Sequence, residues 1–345
     1  MGSGSLLGAA GDGGARETIA ALSDGERCAM ATPDAAQAND PHYWDTLLGD
    51  ARCAGLVAGT SDSPAGRAIE ALARRAAARH GKPVFAIEDY PGNYWPLADA
   101  PTAALAVESE LVAAWQRERL GAQCPPLVVW PAPRYDAHRA RRDELRAAIL
   151  ALPARAAPLV LWAGQPETDD NLASLAAVLP ALRELGATLV LKAHPRDAGY
   201  PDRYRALLHD SGVAVEDATA LGIEAALRRG VTLVMTQFSS VAIEAGFHGI
   251  PALHVLLPEA GAARLMQKKG YSVPFSVRAD AAACLTKPTD ATRVLRELLY
   301  DNGRRAHIMS RFDRYFCAHP GTARGLTDQW LLQARARPGA AGGPV

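Results

Sequence analysis

A histidine-proline pair ends an apolar run in the segment LVLKAHPRD. Lys192 lies within this run, and Arg196 follows the proline. Because Pro195 fixes the turn and biases His194 towards an extended backbone, we expect the histidine ring to point away from a strand end. A group in this place could neutralise a phosphate and the charge that develops on it as a nucleotide leaves. The alternative is a purely structural histidine.

A serine pair follows a second apolar run, in the segment TQFSSVAIEAGFHGIP. Ser239 or Ser240 should cap the helix that begins there. Their hydroxyls, together with free backbone N–H groups, would form a phosphate site. Glu244 lies one turn further, where it could accept hydrogen bonds from ribose or base hydroxyls. A serine nucleophile is not expected, because no Gly-x-Ser-x-Gly element surrounds the pair.

Polar residues also follow the apolar run PLVLWAG. Gly164 and Gln165 come at its end, and Thr168 or Asp169 could cap the next helix. Helix capping alone would explain the polar run from Thr168 to Asp170. A role for Gly164 and Gln165 therefore depends on what binds beside them.

Glycines cluster near the start of the chain, in the segment GDGGAR. Asp12, Gly13 and Gly14 lie between a predicted strand and a predicted helix. Their spacing matches neither the dinucleotide-binding fingerprint nor a P-loop. Two interpretations remain open: a tight strand-to-helix turn, or a wall of an acceptor or diphosphate site.

Two carboxylates, Glu88 and Asp89, arrive at the end of a strongly apolar run and precede a Pro-Gly turn. Carboxylates in this position could deprotonate a sugar hydroxyl if desolvation raises one pKa towards neutrality. Asn93 and Tyr94 would then contact the acceptor, with the aromatic rings stacking on a sugar. The alternative is a solvated loop in which Tyr94 and Trp95 belong to the core.

Short apolar runs alternate with helical patterns along the whole chain. Unbroken apolar strands separated by helices are typical of parallel sheets covered on both faces. The pattern restarts after PAPRYDA, which breaks the periodicity with two prolines. The predicted strands are 5–10, 27–32, 53–59, 83–88, 102–107 and 126–130 in the first half, and 158–164, 188–194, 213–216, 232–238 and 251–256 in the second.

These patterns predict an α/β chain with two doubly wound, Rossmann-like domains, at residues 1–133 and 134–318. An arginine-rich helix is expected over 136–153. Residues 319–345 would form a last helix at 323–337 and a Gly/Pro/Ala tail expected to be disordered.

Composition excludes several classes of protein. The 345 residues carry 37 basic and 37 acidic side chains, so nothing favours nucleic acid as a partner. No apolar run is long enough to span a membrane, and no basic segment followed by an apolar stretch indicates a secretory signal. Five scattered cysteines without a CxxC spacing favour a reduced, cytoplasmic protein without a zinc site.

The elements K-A-H-P and F-S-S-V-A-I-E-A-G resemble the C-terminal domains of bacterial GT-B glycosyltransferases, including sialyltransferases and polysialyltransferases. The resemblance implies two Rossmann-like domains that face a central cleft. The C-terminal domain would bind a nucleotide-sugar and the N-terminal domain an acceptor. The implied nucleotide-sugar ligands are Gly164, Gln165, Lys192, Ser239, Ser240 and Glu244.

The same resemblance implies catalytic roles. His194 would stabilise the leaving nucleotide. The element E-D-Y-P-G is similar to an acidic-Asp-Gly element that supplies the general base in sialyltransferases, although it is interrupted, which points to Glu88 or Asp89. Asp12, Gly13, Gly14, Asn93 and Tyr94 would contact the acceptor.

The leading hypothesis is a glycosyltransferase that moves a sugar from a UDP- or CMP-linked donor to a hydroxyl of a small molecule or glycan. No Asp-x-Asp triplet occurs, so neither a metal nor another cofactor is expected. One alternative is a nucleotide-sugar epimerase or hydrolase of the UDP-GlcNAc 2-epimerase type. Another is a scaffold without catalytic activity. A homodimer is compatible with each of these hypotheses.

Overall fold

A computed structural model describes residues 4–336, so the predicted disordered tail lies outside the described residues. Internal contacts divide the chain into two compact units. Unit 1 combines the residues up to Ala137 with those from His319 onwards, and unit 2 runs from His138 to Ala318. Each unit is built around one sheet.

The sheet of unit 1 contains six parallel strands in the order β2-β1-β3-β4-β5-β6. All six correspond to strands predicted from apolar runs. The chain leaves β1 in one direction to form β2 and returns to its other side for β3, so loops diverge between β1 and β3. The bounds are β1 Ser5–Ala9, β2 Cys28–Met30, β3 Cys53–Ala58, β4 Val84–Ile87, β5 Thr102–Val107 and β6 Leu127–Val129.

Helices follow the strands of unit 1 and begin at side-chain caps. Ser63 caps α4 by accepting from the Gly66 N–H, and proline occupies the first helical position. Gly121 ends α5 at a positive φ of 52°, which a glycine adopts without strain. The bounds are α1 Gly13–Leu22, α2 Ala35–Ala38, α3 Pro41–Gly49, α4 Pro64–Arg79 and α5 Glu110–Leu120.

The sheet of unit 2 has six parallel strands in the order β12-β11-β10-β7-β8-β9. Five were predicted; the edge strand β12 was missed because it lies in an alanine-rich segment, 279–285, where alanine favours helix and no β-branched residue indicates a strand. The bounds are β7 Leu159–Ala163, β8 Thr188–Lys192, β9 Val215–Asp217, β10 Val231–Thr236, β11 Ala252–Val255 and β12 Ala283–Leu285.

The helices of unit 2 correct two sequence predictions. The helix expected over 136–153 is broken at Arg141 into α6, which contains the unit boundary, and α7. The N-cap of α8 is Glu167, not Thr168 or Asp169, and its side chain makes no capping hydrogen bond. The bounds are α6 Asp136–Ala140, α7 Arg142–Leu150, α8 Thr168–Glu184, α9 Asp202–His209, α10 Ile223–Leu227, α11 Val241–Phe247, α12 Ala263–Lys269, α13 Phe275–Arg278, α14 Ala291–Tyr300 and α15 Asn302–Phe312.

The last helix, α16 (Ala323–Arg335), packs on unit 1. Thr322 caps it, and the N–H of Ala323 donates to the Asp136 carboxylate at 2.5 Å. Trp330 is fully buried and stacks on Phe85 with ring centroids 5.2 Å apart. The C-terminal helix therefore completes the hydrophobic core around the first sheet.

Candidate functional site

Three predicted loops meet at the carboxyl edge of the sheet in unit 2. Strand β7 lies between β10 and β8, and all three run in parallel. The Gly164 N–H donates to the Lys192 carbonyl at 3.0 Å, and the Thr236 hydroxyl donates to the Ala163 carbonyl at 2.7 Å. The loops that carry Gly164, His194 and the serine pair therefore leave neighbouring strands at one edge.

His194 is held by its own loop. Its Nδ1 accepts a hydrogen bond from the Arg196 backbone N–H at 3.1 Å. Partial burial, reinforced by the positive charge of Arg196, lowers the pKa of His194 below its usual value. The ring is therefore neutral at pH 7, and the proton must sit on Nε2, because Nδ1 is an acceptor. His194 presents one neutral N–H donor.

Asp197 holds the loop that carries His194, and the sequence did not predict this role. It is buried and accepts from the Asn171 amide at 2.9 Å, the Tyr204 hydroxyl at 2.5 Å and the Gly199 N–H at 3.0 Å. The Thr168 hydroxyl also donates to it. Since its backbone N–H donates to the His194 carbonyl at 2.9 Å, this carboxylate anchors the turn that orients the histidine.

Lys192 is engaged within the protein. Its ammonium group donates to the Leu221 carbonyl and, at 3.4 Å, to the Thr219 carbonyl. Burial lowers its pKa, while Asp217 and Glu244 act in the opposite direction. Lys192 therefore holds the loop after β9 and lies within electrostatic range of Glu244.

The serine pair begins α11, which has only seven residues. The Ser239 hydroxyl accepts from the Val241 N–H at 3.3 Å, and the Ser240 side chain makes no capping hydrogen bond. The Ser239 N–H donates to the Thr236 hydroxyl at 3.3 Å. Ser239 thus stabilises the turn. Both serines are partly buried.

An ion pair lies near His194. Lys268, near the end of α12, pairs with Glu167 at 2.5 Å, and both charges influence the histidine. On the same helix, Arg264 pairs with Asp170 at 3.0 Å. Sequence reasoning missed these residues, although Lys268 is one of few lysines in an arginine-rich chain.

In unit 1, the glycine loop after β1 is tied to the loop after β3. The Ser61 hydroxyl accepts from the N–H groups of Gly11 and Asp12, at 3.2 and 3.0 Å, and donates to Glu70 at 2.6 Å. A Cβ at Gly11 would lie 2.2 Å from the Cα of Gly66, so only glycine fits. Burial raises the pKa of Glu70 to about 7, although the Ser61 hydrogen bonds oppose this.

Asp12 acts as a local cap. Its carboxylate accepts from the N–H groups of Ala15, at 3.2 Å, and Asp62, at 2.7 Å. Gly13 and Gly14 form the first turn of α1, and nothing lies within 4 Å of the place a Gly13 Cβ would take. The geometry of a tight strand-to-helix turn accounts for Asp12, while Gly13 leaves open space beside it.

Asp89 lies over the start of α1. A Cβ at Gly14 would come within 2.6 Å of its Oδ2. Its Oδ1 accepts from the Thr60 hydroxyl at 3.0 Å and the Asn93 amide at 2.8 Å. Burial raises the pKa of Asp89, and the charge of Arg134 opposes that shift. Asn93 therefore positions Asp89.

Glu88 is buried more completely and serves the neighbouring loop. Its Oε1 accepts from the Gly92 and Tyr94 N–H groups, both at 3.0 Å, and from the Gln116 amide at 2.6 Å. Its Oε2 is buried without a hydrogen-bond partner among the described residues. Burial raises the pKa of Glu88 to about 7, against the opposing effect of Gln116.

Tyr94 belongs to the interior of unit 1. The ring is 2% exposed, the hydroxyl donates to Thr102 at 3.0 Å, and the Arg74 guanidinium lies 5.7 Å from the ring centroid. This burial favours the interpretation of Tyr94 as a core residue rather than a platform for a sugar ring.

Two kinds of feature are absent from residues 4–336. These residues contain no helix that is both long and apolar enough to cross a bilayer. They also contain no group of three or more His, Cys, Asp or Glu side chains arranged to hold a metal ion.

Comparison with solved structures identifies the fold. A UGT transferase from Siraitia grosvenorii in complex with UDP is 10% identical, with a TM-score of 0.61 over 96% of this chain and 100% of that one. MurG from Acinetobacter baumannii is 12% identical, with a TM-score of 0.57 over 95% and 99%. A UDP-GlcNAc 2-epimerase from Neisseria meningitidis, bound to UDP-GlcNAc, is 10% identical, with a TM-score of 0.54 over 97% and 99%.

These similarities, together with the two six-stranded parallel sheets, define an α/β two-domain chain of the GT-B fold. No protein-family model matches the sequence, and no curated protein matches it. At such low identity the comparisons establish the fold alone, and function has to be argued from the site.

Replacing Glu88 with glutamine should change how stability depends on pH. Below about pH 4.5 the Glu88 carboxyl is protonated in both folded and unfolded chains, so its ionisation does not lower the free energy of unfolding. As pH rises to about 7, only the unfolded chain loses the proton, so the folded state loses on the order of 3 kcal/mol. Urea denaturation between pH 4.5 and 8 should show a smaller loss in Glu88→Gln.

The matched control is Glu118→Gln, an exposed glutamate on α5. It should keep the pH dependence of the unmodified chain. Equal losses of stability with rising pH in Glu88→Gln and Glu118→Gln would contradict the account of Glu88.

Proposed function

We propose that this chain is a glycosyltransferase that takes its sugar from a UDP-linked donor and transfers it to an acceptor hydroxyl. The observation that carries the proposal is the meeting of Gly164, His194 and Ser239–Ser240 at adjacent strand ends. In open parallel sheets, ligands bind at the carboxyl ends of strands beside a topological switch point. Solved structures of the same fold that contain UDP support the choice of nucleotide.

In this proposal the C-terminal unit holds the donor. Gly164 brings the loop after β7 close to the His194 backbone, since a Cβ there would lie 3.4 Å from the His194 nitrogen. Gln165 and the serine hydroxyls would donate hydrogen bonds to phosphate oxygens. Glu244 would accept from the ribose hydroxyls, and Lys192 would act indirectly by holding the loop after β9.

His194 would stabilise the leaving UDP. A neutral imidazole with its proton on Nε2 donates one hydrogen bond and needs no proton transfer to do so. A donor fixed in advance favours the diphosphate as negative charge develops, because little reorganisation is required during the reaction. Asp197 would supply that rigidity by anchoring the turn.

Replacing His194 with alanine should reduce turnover at least about 100-fold while the fold is retained, as expected for loss of one fixed donor. His209→Ala is the matched control, because that histidine is an exposed residue of the same unit. Turnover of UDP-sugars with a panel of hydroxyl acceptors and circular dichroism would measure both effects. Near-normal turnover in His194→Ala would remove His194 from the mechanism.

Asp89 is the better candidate for the general base. Glu88 accepts three hydrogen bonds at Oε1, from two N–H groups of its own loop and from Gln116 on α5, and its Oε2 is buried. The hydrogen bonds that Asp89 accepts from Thr60 and Asn93 both fall on Oδ1, and its Oδ2 lies beside Gly14. A raised pKa also suits a base that must take a proton near neutral pH.

Turnover should therefore fall by about 100-fold or more in Asp89→Asn and by much less in Glu88→Gln, since general-base catalysis contributes about 100- to 10,000-fold. The two variants change neighbouring carboxylates in the same conservative way. A large loss in Glu88→Gln with near-normal Asp89→Asn would assign the base to Glu88 instead.

An epimerase is the second candidate, because UDP-GlcNAc 2-epimerases from Neisseria meningitidis and Listeria monocytogenes share the fold over nearly the whole chain. Incubation with UDP-GlcNAc and no acceptor separates the candidates: an altered sugar would favour the epimerase, and an unchanged donor favours the transferase.

A further inference from the structure

A cavity of about 560 Å³ lies in unit 2, at the edge of the sheet opposite the candidate nucleotide site. It is bounded by the last turn of α7, the segment 152–158, the first residues of β10 and the residues that follow α11. Strand β10 has six residues and spans about 20 Å. The cavity at its beginning is therefore separate from the candidate nucleotide site at its end. Its size is typical of small-molecule sites, about 300–1,000 Å³.

The lining of this cavity is mostly apolar. Ile149, Pro153, Val231, Ile250 and Met309 contribute aliphatic surface, and Tyr300 lies at the exposed rim. A surface of this kind favours an apolar chain or ring over a sugar or nucleotide, because burying apolar groups is worth about 25 cal/mol per Å². The walls alone would thus select a hydrophobic ligand.

The charged lining residues are all cationic: three arginines and no carboxylate. Arg146 is neutralised by Asp313, with a shortest distance of 2.7 Å. Arg155 pairs with Glu216 at 3.2 Å, although that carboxylate also serves Arg229. The cavity therefore carries uncompensated positive charge.

Of the three arginines that line the cavity, Arg305 is the one whose side chain has no hydrogen bond or ion pair with any described residue. It is half-buried, and desolvation lowers its pKa with no carboxylate to oppose the shift. A partly buried guanidinium without a counterion is unfavourable, and a planar pair of oxygens is the partner that matches its donors.

His248 supplies a second polar group. It lines the cavity, is 2% exposed, and its Nδ1 has no partner among the described residues. Burial lowers the pKa of His248, so the ring is neutral and can carry a proton on the unused nitrogen. His248 therefore adds a neutral polar group, and no negative charge, to the cavity wall.

We propose that this cavity binds a small amphiphilic anion, an apolar chain or ring that carries one carboxylate, with the carboxylate paired to Arg305. The site is independent of the proposed transferase function. The apolar walls hold the body of the ligand and the unpaired guanidinium selects its charge. No part of the candidate nucleotide site contributes to it.

Isothermal titration calorimetry of the full chain with dodecanoate and with dodecanol, both as monomers, tests the proposal. The two probes share an apolar chain and differ in charge. Dodecanoate should bind with one saturable site and at least about tenfold more tightly than dodecanol, as expected for a hydrogen-bonded ionic contact. Equal affinity for the two probes, or no saturable binding of dodecanoate, would overturn the assignment.

Arg305→Gln should lose the preference for dodecanoate, and Arg304→Gln should keep it, since the adjacent Arg304 is absent from the cavity wall. Arg305→Glu should reverse the preference towards dodecylammonium. Unchanged dodecanoate binding in a folded Arg305→Gln protein would contradict the role of Arg305. If neither variant folds, the comparison of dodecanoate with dodecanol on the unmodified chain still decides the question.

Discussion

The parallel pairing of β7 with β10 on one side and β8 on the other determines what the C-terminal unit can bind. Parallel strands place all their carboxyl ends at one edge, so three loops distant in sequence are brought together by backbone hydrogen bonds alone. The chain leaves β7 first towards β8 and later returns to its other side with β10. Loops diverge at that point and leave space for a ligand, with His194 and the serine pair on either side of Gly164.

The sheet of the N-terminal unit has a similar change of strand direction beside β1. The polar groups in its loops, however, largely form hydrogen bonds within the protein. Asp12 caps α1, Glu70 ties two loops together, and Glu88 holds the turn before Tyr94. Burial raises the pKa values of Glu70 and Glu88 to about 7. Burial of these two carboxylates lowers the stability of the folded chain at neutral pH, while their hydrogen bonds fix the loops. Asp89 differs from them, because its Oδ2 lies beside Gly14 in the first turn of α1.

Sequence periodicity predicted eleven strands and the two-unit α/β fold, because buried parallel strands are continuous apolar runs. It also predicted that His194 ends a strand, since proline and a preceding apolar run are local signals; β8 ends two residues earlier, at Lys192, and His194 lies in the loop that follows. It missed β12, which lies in an alanine-rich segment without β-branched residues, and the break at Arg141, which no proline or glycine marks. Asp197 and Lys268 were missed because their roles depend on contacts with residues distant in sequence. Burial of Tyr94 likewise depends on packing that the local pattern does not encode.

The proposed function requires that UDP binds at the carboxyl edge formed by β10, β7 and β8. Hydrogen exchange of the full chain can be measured by mass spectrometry with and without saturating UDP. We expect slower exchange in residues 164–168, 193–199 and 237–244, with little change in the loops of the N-terminal unit. Absence of binding, or protection confined to segments outside these three, would contradict it.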